Sequence, residues 1–273
     1  MNTIAITIVS VPEEQELLIA QLSEAGFDGF EQKDTELIAY IGESDYQSSD
    51  IELILNQLNL TYSESIINKT NWNEVWENNF QPIQLGNKLG VRANFHPPFE
   101  AVEREIIITP KMSFGTGHHA TTSLVMEMML TRMYQDKTLL DFGSGTGILA
   151  ILAHQLGAID ILAVDNDEWC IQNAMENCKI NQASQIAIHL SDKPVPGRTF
   201  DNIVANINRH ILLEHLPSLI NQLKHGGELI ISGILVTDEY EMTDFCNKLG
   251  LQVTERRDKN GWLAIAFTLP VEN

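Results

Sequence analysis

Between Leu139 and Ala150 the chain reads LLDFGSGTGILA, an apolar run interrupted by three alternating glycines and then resumed. Leu139 to Phe142 has the composition of the end of a buried strand. Gly143, Gly145 and Gly147 let the backbone turn sharply and approach a ligand with no Cβ in the way. Ile148 to Leu156 then carries the apolar spacing of a helix start. A strand, a glycine turn and a helix N-terminus together predict the cofactor cradle of a doubly wound α/β domain.

The glycine spacing discriminates between nucleotide-shaped cofactors. A dinucleotide fingerprint, G-x-G-x-x-G, would need its third glycine where this chain has Ile148. Here the pattern is G-x-G-x-G, which lacks the arrangement that seats a pyrophosphate on the helix N-terminus. A nicotinamide oxidoreductase is thereby disfavoured. The pattern resembles motif I of the class I S-adenosylmethionine-dependent methyltransferases. The next strand, Ile161 to Val164, ends in Asp165, which is placed to accept hydrogen bonds from ribose hydroxyls.

Two further segments carry chemistry. FGTGHHATT, Phe114 to Thr122, lies upstream of the core domain's first strand. It can fold over a cofactor, offering backbone amides and the Thr121 and Thr122 hydroxyls. Adjacent histidines rarely both ligate one ion, and the sequence sets no third ligand beside His118 and His119, so a hydrogen-bonded pair is expected and no metal. The other segment, Phe200 to Asn206, is an apolar strand ending at the carboxyl edge where ligands of α/β domains sit. A strand-end asparagine can serve only a turn; the resemblance to class I methyltransferases implies that the position faces the methyl donor, which makes Asn206 the candidate catalytic residue.

The 273 residues are enough for one large or two smaller domains, and 44% hydrophobic content supports a real core. Residues 1–68 read as a small α+β unit in the order β-α-β-β-α-β, the ferredoxin-like pattern. Residues 69–80 read as a linker helix, with Trp72, Trp76 and Phe80 on one face. Residues 81–273 form the expected catalytic domain. It begins with a strand-like stretch over 83–110, with Gly86 and Gly90 as turns, followed by strands near 160–165, 185–190, 200–206 and 227–233. An antiparallel pair, near 251–255 and 262–268, closes the sheet through a turn at Lys259, Asn260 and Gly261.

Charge is concentrated at one end. The net charge is −20, and residues 1–66 hold 13 acidic residues against a single base, Lys33. Such a surface repels phosphate backbones, so direct nucleic-acid binding is not expected, and it favours encounter with a basic protein. No run reaches membrane-span length, and the N-terminal segment turns acidic at once. Three cysteines without a C-x-x-C fit a reducing compartment. A cytoplasmic location with no membrane partner is expected.

FGTGHHATT, LLDFGSGTGILA with VDND downstream, and VANI occur here in one order, behind a small N-terminal domain. In this the chain resembles the bacterial ribosomal protein L-eleven methyltransferase (PrmA) family over nearly its whole length. The resemblance implies a class I methyltransferase Rossmann-like sheet with an antiparallel last strand, S-adenosylmethionine as cofactor, and trimethylation of lysines on a basic ribosomal protein. It implies that the protein substrate docks on the N-terminal domain. It implies cofactor-binding positions at Thr122, Gly143, Asp165 and Asn206, and Phe114, Thr121, Gly145 and Gly147 of the same motifs are expected to bind the cofactor with them. The family usually has Thr-His-Pro at His118-His119-Ala120, and proline where this chain has Glu168; a loop without proline is less rigid. Methyltransferases of amide or nucleobase nitrogens often carry Asn-Pro-Pro-aromatic where this chain has Asn206-Ile207-Asn208-Arg209, which points away from those acceptors. Two alternatives stay open: a lysine methyltransferase of the same fold with another substrate, such as a metabolic flavoprotein, and a non-catalytic S-adenosylmethionine-binding module.

Overall fold

The computed structural model describes residues 3–58, 60–67, 81–109, 111 and 115–271. The chain divides into two compact units, Met1–Asn79 and Phe80–Asn273. The linker helix expected over 69–80 falls outside the described residues.

The first unit runs β1 (Thr3–Val9), α1 (Pro12–Glu24), β2 (Gly29–Gln32), β3 (Glu36–Gly42), α2 (Ser48–Leu58), β4 (Tyr62–Ile67). Its sheet has the order β2-β3-β1-β4, antiparallel at every pairing. Period-two alternation sends Ile4, Ile6 and Ile8 of β1 to one face, where they pack with Leu18 and Leu22 of α1 and Ile51 and Leu55 of α2. Pro12 opens α1, at the position where a missing N–H costs nothing.

The second unit opens with three short strands, β5 (Ile83–Leu85), β6 (Leu89–Arg92) and β7 (Arg104–Ile107), in a small sheet of their own. Of the two turns read from the sequence here, Gly86 lies between β5 and β6 as expected, whereas Gly90 lies inside β6. The Phe99 ring, from the segment between β6 and β7, sits where a side chain on Gly90 would be, only 2.3 Å from the position of a Cβ there.

The main sheet follows: α3 (Ala120–Met129), β8 (Thr138–Phe142), α4 (Ile148–Gln155), β9 (Asp160–Asp165), α5 (Glu168–Ile180), β10 (Ala187–Leu190), β11 (Phe200–Asn206), α6 (Arg209–Ile220), β12 (Leu223–Leu235), α7 (Glu239–Lys248), β13 (Gln252–Lys259) and β14 (Trp262–Thr268). Strand order is β10-β9-β8-β11-β12-β14-β13. β10 to β12 are parallel, and β14 runs antiparallel to both of its neighbours. The antiparallel last strand is therefore inserted one place in from the edge. β12 is longer than the sequence suggested because it pairs β11 on one side and β14 on the other, with a register shift on each. Asn260 and Gly261 take φ of 53° and 80° in the β13–β14 turn, the left-handed pair that two-residue hairpins require.

Both faces of this sheet are covered, which explains the unbroken apolar runs. Leu139, Ile161, Ala163, Val204 and Ile230 face the layer containing Met126, Met129, Ile151 and Leu152. Their chain neighbours Leu140, Leu162, Val164, Ile203, Ala205, Leu229 and Ile231 face Leu212, Leu216, Leu219 and Met242. Strand order reverses between β8 and β11, and open α/β sheets bind ligands at the carboxyl ends beside such a reversal. Among the described residues no helix is long and apolar enough to cross a membrane. Cys170, Cys178 and Cys246 all lie in buried positions.

Candidate active site

At the carboxyl end of β8 the chain enters the glycine turn, where Gly143, Gly145 and Gly147 all take positive φ, 78°, 53° and 78°. The N–H groups of Gly143 and Ser144 both donate to the Val164 carbonyl, at 2.8 and 3.0 Å, which fastens the turn to β9. A Cβ on Gly143 would lie 2.1 Å from Ile207 Cγ2. A side chain there would strain the backbone and collide with the segment after β11. Gly147 has a different task. Its would-be Cβ lies 3.2 Å from Ala174 Cβ, so this glycine lets α5 pack closely against the start of α4.

A cavity of about 510 Å³ opens beside this turn. Gly143, Gly145, Asp165, Thr121 and Asn206, all read from the sequence as site residues, line it. Gly147 and Thr122 do not; they stand behind the wall. Phe114 lies outside the described residues. Phe142, Val164, Ile207, Ile211 and Trp262 give the cavity an apolar side, and Asp165, Asp167 and Asp192 an acidic one.

The Asp165 carboxylate is held rigidly. One oxygen accepts the Gly145 N–H at 2.7 Å and the other the Asp167 N–H at 3.1 Å. Asp167 in turn caps α5 by accepting the Trp169 N–H at 2.8 Å. Each Asp165 oxygen retains a further lone pair, and the residue remains partly exposed on the cavity wall.

Asn206 ends β11 with 7% of its surface exposed. Its amide Nδ2 donates to Thr122 Oγ1 at 3.1 Å. Its Oδ1 has no hydrogen-bond partner among the described residues. A buried carbonyl left this way is costly unless a donor arrives with the ligand. Thr122 therefore acts indirectly, fixing the amide so that Oδ1 is the free end.

The two histidines are both occupied. His118 Nε2 meets the Gln81 carbonyl at 2.7 Å, and His119 Nδ1 meets Thr121 Oγ1 at 2.7 Å while capping α3. Among the described residues no cluster of His, Cys, Asp and Glu could hold a metal. His119 also lines the cavity, with its ring edge-on to Trp262 at 4.6 Å. Sequence reasoning did not identify His119 and Trp262 as wall residues, nor Cys170, Ser191 and Asp192. Ser191 and Asp192 follow β10 directly, so the carboxyl-edge rule was a usable signal for them. Trp262 had none, because only the inserted β14 carries it to the site.

Asp141 was also missed. Alternation within β8 turns it to the same face as Leu139, against α4, where one oxygen accepts the Ala150 N–H at 3.1 Å. The other has no partner among the described residues. Burial pushes this carboxyl up to about 7; the Ala150 N–H opposes the rise and the Asp165 charge adds to it. An unfolded aspartate titrates near about 3.9. Between those values the folded protein holds a proton that the unfolded chain has lost, so stability falls as pH rises through the window. From pH 5 to pH 8 the stability of the Asp141→Asn variant should gain on wild type by about 3 kcal/mol. Urea denaturation of both proteins at the two pH values measures this, and parallel pH profiles would contradict it.

The family model described as ribosomal protein L11 methyltransferase (PrmA) matches residues 3–270. A ribosomal protein L11 methyltransferase of Porphyromonas gingivalis is 44% identical over 261 residues, covering 93% of this chain and 90% of that protein. One from Bacteroides thetaiotaomicron is 39% identical, covering 93% of each. The crystal structure of the ribosomal protein L11 methylase from Lactobacillus delbrueckii subsp. bulgaricus is 31% identical, with a TM-score of 0.64 over 70% of this chain and 100% of that one. The chain belongs to the ribosomal protein L11 methyltransferase (PrmA) family.

Proposed function

We propose that this protein transfers methyl groups from S-adenosylmethionine to lysine amines of ribosomal protein L11, up to three on each nitrogen. The observation that carries this reading is the buried, unpartnered Asn206 Oδ1 on the wall of a cavity that also holds the Asp165 carboxylate and a bare glycine turn. The cavity suits the cofactor. Gly143 and Gly145 leave backbone open beside it, the two Asp165 oxygens can accept from ribose hydroxyls, and the apolar side can cover an adenine. When bound, S-adenosylmethionine supplies a methyl group on a sulfonium that departs as a neutral thioether.

The protein's own share is to orient and to exclude water. Asn206 Oδ1 accepts an N–H of the incoming amine and turns its lone pair toward the methyl carbon. Free lysine has a pKa of about 10.4 and must arrive neutral. The apolar side of the cavity disfavours the ammonium form, and a cationic cofactor beside it does so further. No strong base is needed. The carbon–nitrogen bond forms as the carbon–sulfur bond breaks. The ammonium formed in the first two transfers gives its proton to solvent, and the quaternary ammonium of the third has none to lose. The acidic N-terminal unit provides the dock for a basic protein substrate, and the enzyme works in the cytoplasm.

Calorimetry should give binding of S-adenosylmethionine and none of NADH. Incubation with purified ribosomal proteins and labelled donor should place label on L11. Label on other ribosomal proteins alone, or on no protein, would overturn the reading.

A further inference from the structure

Thr146 is fully buried, yet it is absent from the cavity wall. It belongs to the glycine turn, and its side chain points the other way. Its hydroxyl donates to the carbonyl of Gly115, 31 residues upstream, at 2.5 Å. The approach is close because Gly115 has no side chain. A Cβ there would lie 3.2 Å from Thr146 Oγ1, and φ of 98° is in the left-handed region. The Thr146 carbonyl is also engaged, accepting from Asn177 Nδ2 at 2.9 Å, while Asn177 Oδ1 accepts the Thr109 N–H at 2.8 Å. Just past the end of α5, Asn181 both accepts from and donates to the backbone of Ile107, at 2.8 and 2.6 Å.

These bonds join three pieces of the site that are far apart in sequence. The turn that faces the donor is one. The helix that starts behind Asp165 is the second. The segment that passes through Gly115 into His119 and α3 is the third, and α3 carries the Thr122 hydroxyl that fixes Asn206. The Thr146 hydroxyl thus tethers Gly115 to the donor side, while four residues later the same segment supplies His119 to the cavity wall.

We propose that Thr146 is a positioning residue for methyl transfer: its bond to Gly115 sets the segment Gly115–His119, and through α3 the Asn206 amide, in register with the glycine turn. The inference rests on the methyltransferase reading, but part of its test does not. Thr146 touches neither the cavity nor the acceptor. Loss of its hydroxyl should therefore leave donor affinity in place and act on the acceptor side.

The deciding comparison is Thr146→Ser with Thr146→Ala. Both lack the threonine methyl, and they differ only in the hydroxyl. In the protein without ligand, amide hydrogen exchange over Gly115–His119 should be about tenfold faster in Thr146→Ala than in Thr146→Ser, the scale of one lost hydrogen bond to a partly buried carbonyl. The Thr146→Ser variant should exchange as wild type does. With L11 as acceptor, kcat should fall about tenfold in Thr146→Ala and stay within about twofold of wild type in Thr146→Ser. The dissociation constant for S-adenosylmethionine should be the same in both. Equal exchange in the two variants overturns the proposal whatever the substrate proves to be. A loss of donor affinity that matches the loss of kcat also overturns it, since Thr146 would then act through the turn alone. Should wild type fail to methylate L11, the functional reading falls and the exchange comparison still decides the tether.

Discussion

Replacing Asn206 with alanine should lower the rate of the first methyl transfer about a hundredfold or more while the protein stays folded. The expected size follows from what positioned polar groups contribute in buried sites, where losing one costs on the order of 10²–10³ in rate. The side chain has two ends with two tasks. Nδ2 is anchored on Thr122 Oγ1, and Oδ1 is the buried acceptor without a partner. Alanine removes both, so the amine loses its orienting contact. The folding cost is limited to about 1–2 kcal/mol, because no buried charge is left unpaired. The loss should also depend on the methylation step. A neutral primary amine offers two N–H groups, a monomethyl amine one, and a dimethyl amine none. Asn206 can therefore help least in the third transfer, and the deficit of Asn206→Ala should shrink from mono- to trimethylation. Single-turnover assays on unmodified and dimethylated substrate check this. Equal deficits at every step would remove the amine-orienting role.

Asp165→Ala should weaken binding of S-adenosylmethionine by about a hundredfold or more, with a smaller effect of Asp165→Asn. The carboxylate organises its own site, with one oxygen on the Gly145 N–H and the other on the Asp167 N–H. Alanine deletes the acceptor expected to hold the ribose and at the same time releases two backbone donors, one of them in the glycine turn. Hydrogen bonds to charged groups contribute about 1.5–3 kcal/mol each, so losing the ribose contact and loosening the turn together reach the hundredfold scale. Asparagine keeps one acceptor oxygen and loses the charge. Calorimetric titration of each variant measures the effect, with thermal melting as the control for folding. Unchanged affinity in Asp165→Ala would mean that the ribose is held elsewhere.

The parts of the site that could be read from the sequence are those where local chemistry and function coincide. Gly143 and Gly145 must be glycines for the backbone to turn, and they also line the cavity. Asp165 and Asn206 end parallel strands, and the carboxyl edge of such strands is where α/β ligands lie. Gly147 and Thr122 belong to the same motifs but stand one layer back, and the motif gives no sign of that. Gly147 faces Ala174 and Thr122 faces Asn206. Trp262 reaches the cavity only through the insertion of β14 between β12 and β13, a long-range pairing with no local signature. Asp141 reads as one polar letter in an apolar strand. Only the alternation of β8 with α4 packed on one face shows that it is buried among apolar groups. In the stretch over 83–110 the turn read at Gly86 lies between β5 and β6, where φ is 58°. The turn read at Gly90 does not exist: that glycine lies inside β6, where it makes room for the Phe99 ring.

The account turns on transfer of methyl groups from S-adenosylmethionine to lysine nitrogen of a ribosomal protein. Intact-mass spectrometry of purified, unmodified L11 after incubation with the enzyme and S-adenosylmethionine tests this most directly, followed by fragmentation to locate the added mass. The account predicts mass gains in multiples of one methyl group, located on amines, present with wild type and strongly reduced with Asn206→Ala. An L11 mass that does not change, or methyl groups found only on side-chain amides or carboxylates, would contradict it.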